Sequence, residues 1–238
     1  MRAAAIVAGM ILCLIAQSSW ATKLSGKVIV TAKMRTELSK IERDKGESHR
    51  EYYWNEPNGI IPVKPPVVDP SKDIAVVIFK EGASDPGPDE LFTVKVHAGS
   101  LEQNVIVTRP GSTLRFLNVD PFDHELYSPK LIGFKPERQS NGAFRPIQFS
   151  QEGVFAVQCK LMPHFSGHVV VTKATYIAEV RKDGTFATGD LKPGNYTAKV
   201  FFDGKWIYKR SFKIEGEREM KLEIKLSSTG SAKAKSKG

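Results

Sequence analysis

From residue 73 onward the chain is a succession of short apolar stretches cut up by Pro, Gly, Asn and Asp, a rhythm that suits strands and little else. Apolar and polar residues alternate over Phe92 to His97, Asn104 to Thr108 and Ser112 to Asn118, the period at which successive side chains leave opposite faces of a sheet. Ile74 to Phe79 is an unbroken apolar run, and Arg109-Pro110-Gly111 is a turn. Phe144 to Phe149, an edge, then Gly153 to Cys159 and His168 to Lys173 add further strands. No stretch makes a convincing long helix. About six or seven short strands at this spacing predict an all-β Greek-key sandwich over residues 73–173.

The pattern resumes after Ala174. Tyr176 to Val180, an element opened by Phe186, Thr197 to Phe202, Trp206 to Ile214 and Met220 to Leu226 read as strands, with Lys182-Asp183-Gly184 and Asp203-Gly204 as tight turns between them. Asp183 and Asp190 are expected to be turn residues. Residues 174–226 are therefore expected to form a second, smaller β-sandwich.

The flanking segments are of other kinds. Arg2, the apolar run Ala3 to Ala16 and the small residues Ser19 and Ala21 mark residues 1–21 as a secretory signal peptide. Residues 22–72 begin with a strand, Leu24 to Thr31, and continue through the helix-compatible Arg35 to Asp44. The cluster Tyr52-Tyr53-Trp54 follows, and then an extended stretch with Pro62, Pro65, Pro66 and Pro70. The aromatics are expected to pack this arm onto a sheet. Residues 227–238, rich in Ser, Gly, Ala and Lys, lack the apolar content to order themselves. Nothing approaches the ~20 apolar residues of a membrane span, so the expectation is an exported protein of the periplasm or cell surface.

The formal charge is +9, spread along the sequence without a basic stripe or interleaved aromatics. It fits an acidic protein partner, redox or envelope, or anionic lipid headgroups. With no nucleic-acid-binding motif beside it, it does not point to nucleic acid.

Chemistry concentrates in one place. Removal of residues 1–21 takes away Cys13 and leaves Cys159 with no disulfide partner. In Gln158-Cys159-Lys160-Leu161-Met162-Pro163-His164-Phe165-Ser166-Gly167-His168, a thiol, a thioether and two imidazoles lie within ten residues between two strands. Cys and Met select soft metals and His suits copper. A copper electron-transfer site takes one thiolate, two imidazoles and a weak axial ligand. The distant imidazole is His124, in Asn118-Val119-Asp120-Pro121-Phe122-Asp123-His124, just after a strand and a turn. His168 reads as a surface or packing residue, His97 as exposed on a strand and His49 as solvated.

At these residues the chain resembles the cupredoxin family. More narrowly, it resembles exported plastocyanin- or amicyanin-like proteins whose cupredoxin is followed by a carboxypeptidase-regulatory-like β-sandwich. The resemblance runs roughly from Ile74 to Ile214. It is carried by the Val107 to Phe116 hairpin, Asn118-x-Asp120-Pro121-x-x-His124, Gly153-Val154-Phe155-x-Val157-x-Cys159 and Gly167-x-Val169-Val170-Val171. The companion sandwich is carried by Asp183-Gly184-x-Phe186 and Leu191-x-Pro193-Gly194-x-Tyr196. It implies one copper ion, with His124 and Cys159 carried over as ligands. At the family's second His and axial Met positions this chain has Met162 and Phe165. His164 and Met162 are therefore assigned on donor chemistry.

Three readings follow. His124, Cys159 and His164 hold copper, with Met162 as weak fourth ligand, for one-electron transfer. Alternatively, His124, Cys159 and Met162 form a softer Cu(I) site for carriage. In the third, the site is lost, Cys159 is a small buried hydrophobe and the protein is an envelope scaffold. None of them is an enzyme. Cys159 ends a strand rather than opening a helix and has no oxyanion-donor motif for thiol catalysis. Zinc needs four ligands, usually in paired spacing, and the carboxylates are scattered.

Overall fold

The computed structural model describes residues 21–31, 68–89, 91–163 and 165–226. Residues 1–20 of the expected signal segment, residues 32–67 of the arm, the tail from 227 and His164 lie outside the described residues.

Among the described residues the chain forms three sheets and one short helix, α1 (Pro70–Asp73), whose first turn is capped by Asp69 accepting the Ser71 N–H at 3.0 Å. β3 (Phe92–His97), β4 (Ser100–Leu101), β6 (Ser112–Asn118) and β9 (Phe144–Phe149) make a four-stranded sheet in the order β4-β3-β6-β9. β5 (Val105–Thr108), β7 (His124–Tyr127), β8 (Arg138–Gln139), β10 (Gly153–Cys159) and β11 (Ser166–Val171) make a five-stranded sheet, β5-β11-β10-β7-β8. The inward rows of the two sheets share one core containing Leu114, Phe116, Ile147, Phe149, Val157 and Val169. Period-two alternation builds it: Leu114 and Phe116 are buried on β6, Phe155 and Val157 on β10. The rows end in Asn118 and Cys159, both buried, so polar and sulfur groups sit at one end of an apolar core.

The remaining strands are β1 (Thr22–Val30), β2 (Ile74–Lys80), β12 (Tyr176–Val180), β13 (Thr185–Leu191), β14 (Gly194–Phe202), β15 (Lys205–Ile214) and β16 (Glu219–Leu226). They form a seven-stranded sheet in the order β15-β14-β2-β12-β13-β1-β16. β12 changes partner along its length, pairing through Tyr176 to Ala178 with β2 and through Glu179 and Val180 with β13. The two halves of the sheet bring Leu24, Val28 and Leu222 into one core with Val76, Ala198 and Val200. The Asp203-Gly204 turn has both residues at positive φ, 46° and 74°, as a two-residue hairpin of this kind requires. Asp183 caps its turn by accepting the Thr185 N–H at 3.0 Å, whereas Asp190 is a strand residue opposite Lys23.

The all-β class is as expected; the division of strands is not. Ile74 to Phe79, expected to open the 73–173 sandwich, is β2 and hydrogen-bonds between β14 and β12. The strand expected to begin the 22–72 arm is β1, paired with β13 and, in parallel, with β16. The reason lies in burial. Residues Ile74 to Ile78 are all buried, as an unbroken apolar strand covered on both faces must be. One face of β2 lines the seven-stranded core. On the other, Ala75 joins Phe201 against Val105 and Val170 of the five-stranded sheet. Because Tyr176 pairs with Ile78, and the Lys80 N–H bonds Thr175 Oγ1 at 3.0 Å, residues 81–175 are an insertion between two adjacent antiparallel strands. Asn104 donates to Asp73 at 2.6 Å, which ties the insertion to the start of β2, and within the insertion Arg109, paired with Asp89, donates to the carbonyls of Ala174 and Thr175.

Gly26 tests the packing of the β1 strand. A Cβ there would collide with the Phe186 ring and the Leu222 carbonyl. Gly26→Ala is expected to cost about 1–3 kcal/mol in urea unfolding; an unchanged midpoint would mean that β1 does not sit between β13 and β16.

Candidate metal centre

The site assembles where β10 stops and β7 begins. Cys159 faces Leu126 across the ladder. His124 lies two residues before Leu126 on the same inward face, beyond the end of β10. Its ring therefore reaches over the thiol, and Nδ1 is 3.7 Å from Cys159 Sγ. Both are enclosed: His124 is 0% exposed and Cys159 4%. The sulfur also accepts the Glu125 N–H at 3.4 Å, while Lys160 N–H bonds the Glu125 carbonyl at 3.0 Å and extends the strand pairing past the cysteine. His124 thus follows the Asp120-Pro121 turn as expected but is held by a strand rather than by the turn itself.

The other ring nitrogen is fixed by Asp120, whose Oδ2 is 3.0 Å from His124 Nε2. This carboxylate is itself over-determined. It accepts the N–H groups of Ala98 at 2.6 Å and Gly99 at 2.9 Å, and its own N–H bonds Asn118 Oδ1 at 2.9 Å. Asn118 in turn donates to the carbonyls of Phe122 and Gln139, closing the loop that carries the site. Burial pushes the Asp120 pKa up. The Gly99 N–H, the His124 ring and the Ala98 N–H outweigh it and hold the carboxyl below its ordinary value. An ionised Asp120 is an acceptor for a proton on Nε2, and in that tautomer an Nδ1 lone pair faces the thiol. The exposed ring of His97 stands 3.7 Å from Asp120 on the solvent side.

That arrangement suits one ion. A separation of 3.7 Å is long for a hydrogen bond. Metal–thiolate and metal–imidazole bonds of about 2.3 and about 2.0 Å would span it at an angle of about 120°. Apolar rings surround the pair: Phe122 and Phe165 have centroids 5.3 and 5.8 Å from the His124 ring, Phe165 being 2% exposed and Phe122 41%. Met162 packs against the core that contains Cys159, its N–H bonded to the Cys159 carbonyl at 3.3 Å. Among the described residues no group of three or more His, Cys, Asp or Glu side chains is gathered closely enough for a metal. Of the expected set, His124 and Cys159 come together, Met162 lies on the adjoining loop, and His164 lies outside the described residues. His168 is elsewhere, packed on Phe201 at 5.8 Å and with its pKa lowered by burial, against the opposing charge of Asp203. Asp120 was visible in the sequence only as part of a turn; its role comes from main-chain donors 21 and 22 residues away.

No family model matches the sequence. No curated protein sequence matches it. Among solved structures, the chain is similar to amicyanin from Paracoccus versutus, at 19% identity over 40% of this chain and 97% of that one, with a TM-score of 0.33. It is also similar to a purple cupredoxin from Nitrosopumilus maritimus, at 22% identity over 34% of this chain and 98% of that one, with a TM-score of 0.30.

Proposed function

We propose that this chain binds one copper ion through Cys159 and His124 and works as an exported, non-enzymatic one-electron carrier of the cupredoxin type. The observation that carries the reading is the facing thiol and Nδ1, buried together, with Nε2 tied to Asp120. A buried sulfur and an imidazole with a fixed tautomer are donors matched to a soft ion. Met162 and His164, on the loop between β10 and β11, are the residues to complete the set. Bound there, copper would supply a centre that gains and loses a single electron. The protein's part is to hold the donors still. Asp120 fixes the imidazole, the Glu125 N–H fixes the sulfur, and Phe165 keeps water off the ring. The export signal puts that activity in the periplasm or at the cell surface. Among the described residues no helix is long and apolar enough to cross a membrane.

The test is direct. Cu(II) added to the purified protein is expected to give an intense visible thiolate-to-copper absorption at one equivalent, abolished by Cys159→Ser. Binding of Cu(I) alone, without colour, would favour copper carriage through Met162. No copper binding in either oxidation state would leave the scaffold reading.

A further inference from the structure

We propose that His168 makes the seating of the site-bearing sandwich on the seven-stranded sheet depend on pH: the two are fully seated while its ring is neutral and loosen when it takes up a proton. The chain connects the sandwich to the sheet at one end of β2, leaving after Lys80 and returning through Thr175 beside it. The other end of this seven-residue strand lies about 20 Å away. There the seating rests on side-chain packing and on the 2.6 Å hydrogen bond from Asn104 to Asp73.

His168 stands in that packing. Strand pairing sets it between Val105 of β5 and Ala156 of β10, on the same face of the sheet as Val170 two residues on. Val105 and Val170 meet Ala75 and Phe201 there, so a half-buried imidazole interrupts an otherwise apolar row. Its ring lies edge-on to Phe201 at 5.8 Å, and a Cβ added at Gly204 would come within 3.1 Å of Nε2. The β14–β15 turn therefore closes directly on the ring nitrogen. Among the described residues neither ring nitrogen has a hydrogen-bond partner. A protonated imidazole carries two N–H donors, and the one pressed on Gly204 regains water only if the turn lifts away. The neighbours on β5 and β10 are uncharged, and Asp73, on the β2 side, is engaged by Asn104. Burial disfavours the charged ring and outweighs the carboxylate of Asp203 on the turn, which favours it, so the pKa lies below its ordinary value. As pH falls, a ring freed from the seam binds its proton before a seated one does. Seating and stability thus decline from about pH 6.5 downward, until the seated ring is charged as well.

Urea unfolding of the purified protein at about pH 7.5 and about pH 5.0, on either side of the ordinary imidazole range, tests this in three proteins. The wild-type midpoint is expected to fall on acidification and its single transition to split in two as the sandwich loosens. The unfolding constant should rise by up to about tenfold for each pH unit by which the ring titrates low. His168→Gln takes up no proton there, so its midpoint should fall less and its single transition persist. Asp203→Asn keeps a residue that tolerates the φ of 46° at this position but removes the charge that favours the protonated ring, so its midpoint should fall further than that of the wild type. The other four histidines are common to all three proteins and cancel in the comparison. An NMR titration of the His168 ring gives an independent reading, with a midpoint expected below about 6.5. Equal pH dependence in the wild type and His168→Gln, a smaller fall in Asp203→Asn, or a ring that titrates at or above its ordinary value would each overturn the proposal.

Discussion

Asp120→Ala is expected to lower the stability of the protein by about 3–5 kcal/mol, because it strands several donors at once and each buried unpaired donor costs about 1–3 kcal/mol. The carboxylate accepts from Ala98, Gly99 and the His124 ring. The two backbone donors belong to a turn in which Ala98 and Gly99 both have positive φ, 53° and 70°. For Ala that conformation is strained by roughly 1–2 kcal/mol, and Asp120 is what pins it. The loss would be read as a fall in the urea midpoint. The pH profile adds a second signature. The folded pKa of Asp120 lies below its ordinary value, so its contribution is complete above the unfolded value of about 3.9. It disappears as pH falls through the lower folded value. The wild type should thus lose more stability on acidification than Asp120→Ala does. Equal midpoints for the two proteins at neutral pH would show that the carboxylate does not organise this loop.

Phe201→Ala should be nearly as damaging, and differently. Phe201 is fully buried and joins Ala75 against Val105 and Val170, where the inserted sandwich meets the seven-stranded sheet. Its ring also contacts His168 at 5.8 Å and Trp206 at 5.4 Å. Truncating a buried Phe costs about 3–5 kcal/mol through lost transfer energy and the cavity left behind. This cavity would open between two cores rather than inside one. The expected result is a lower midpoint together with a split of one unfolding transition into two, as the sheets lose their common contact. A drop in midpoint with a single sharp transition would mean that the remaining links, Asn104 to Asp73 and the packing of Ala75 on Val105 and Val170, suffice to keep the units together.

The same two residues show what reading the sequence can reach. Most strands are legible because alternation is local. Phe92–His97, Ser112–Asn118, Phe144–Phe149, Gly153–Cys159 and Tyr176–Val180 form over the residues where the pattern places them. His124 and Cys159 are legible because a thiol with no second cysteine beyond residue 13 and a remote imidazole are rare chemistry. β7 was missed: it is four residues long, follows a turn and contains Glu125 on its outward face. Asp120 could be read as a turn former but not as the partner of His124 and of a turn on another strand. The contact of His168 with the β14–β15 turn was missed because the two meet only where the inserted sandwich packs on the seven-stranded sheet.

The sequence by itself determined that this is a β protein, where most of its strands run and which rare side chains could do chemistry, because side-chain alternation and turn residues act over a few positions. Only the tertiary structure decided that β1 and β2 complete the far sheet and that the site-bearing sandwich is an insertion between β2 and β12. It alone set the thiol against Nδ1 and Asp120 behind the imidazole. Main-chain hydrogen bonds carry no residue identity, so an apolar strand can pair in either sheet; what selects one is burial on both faces, a property of the assembled molecule.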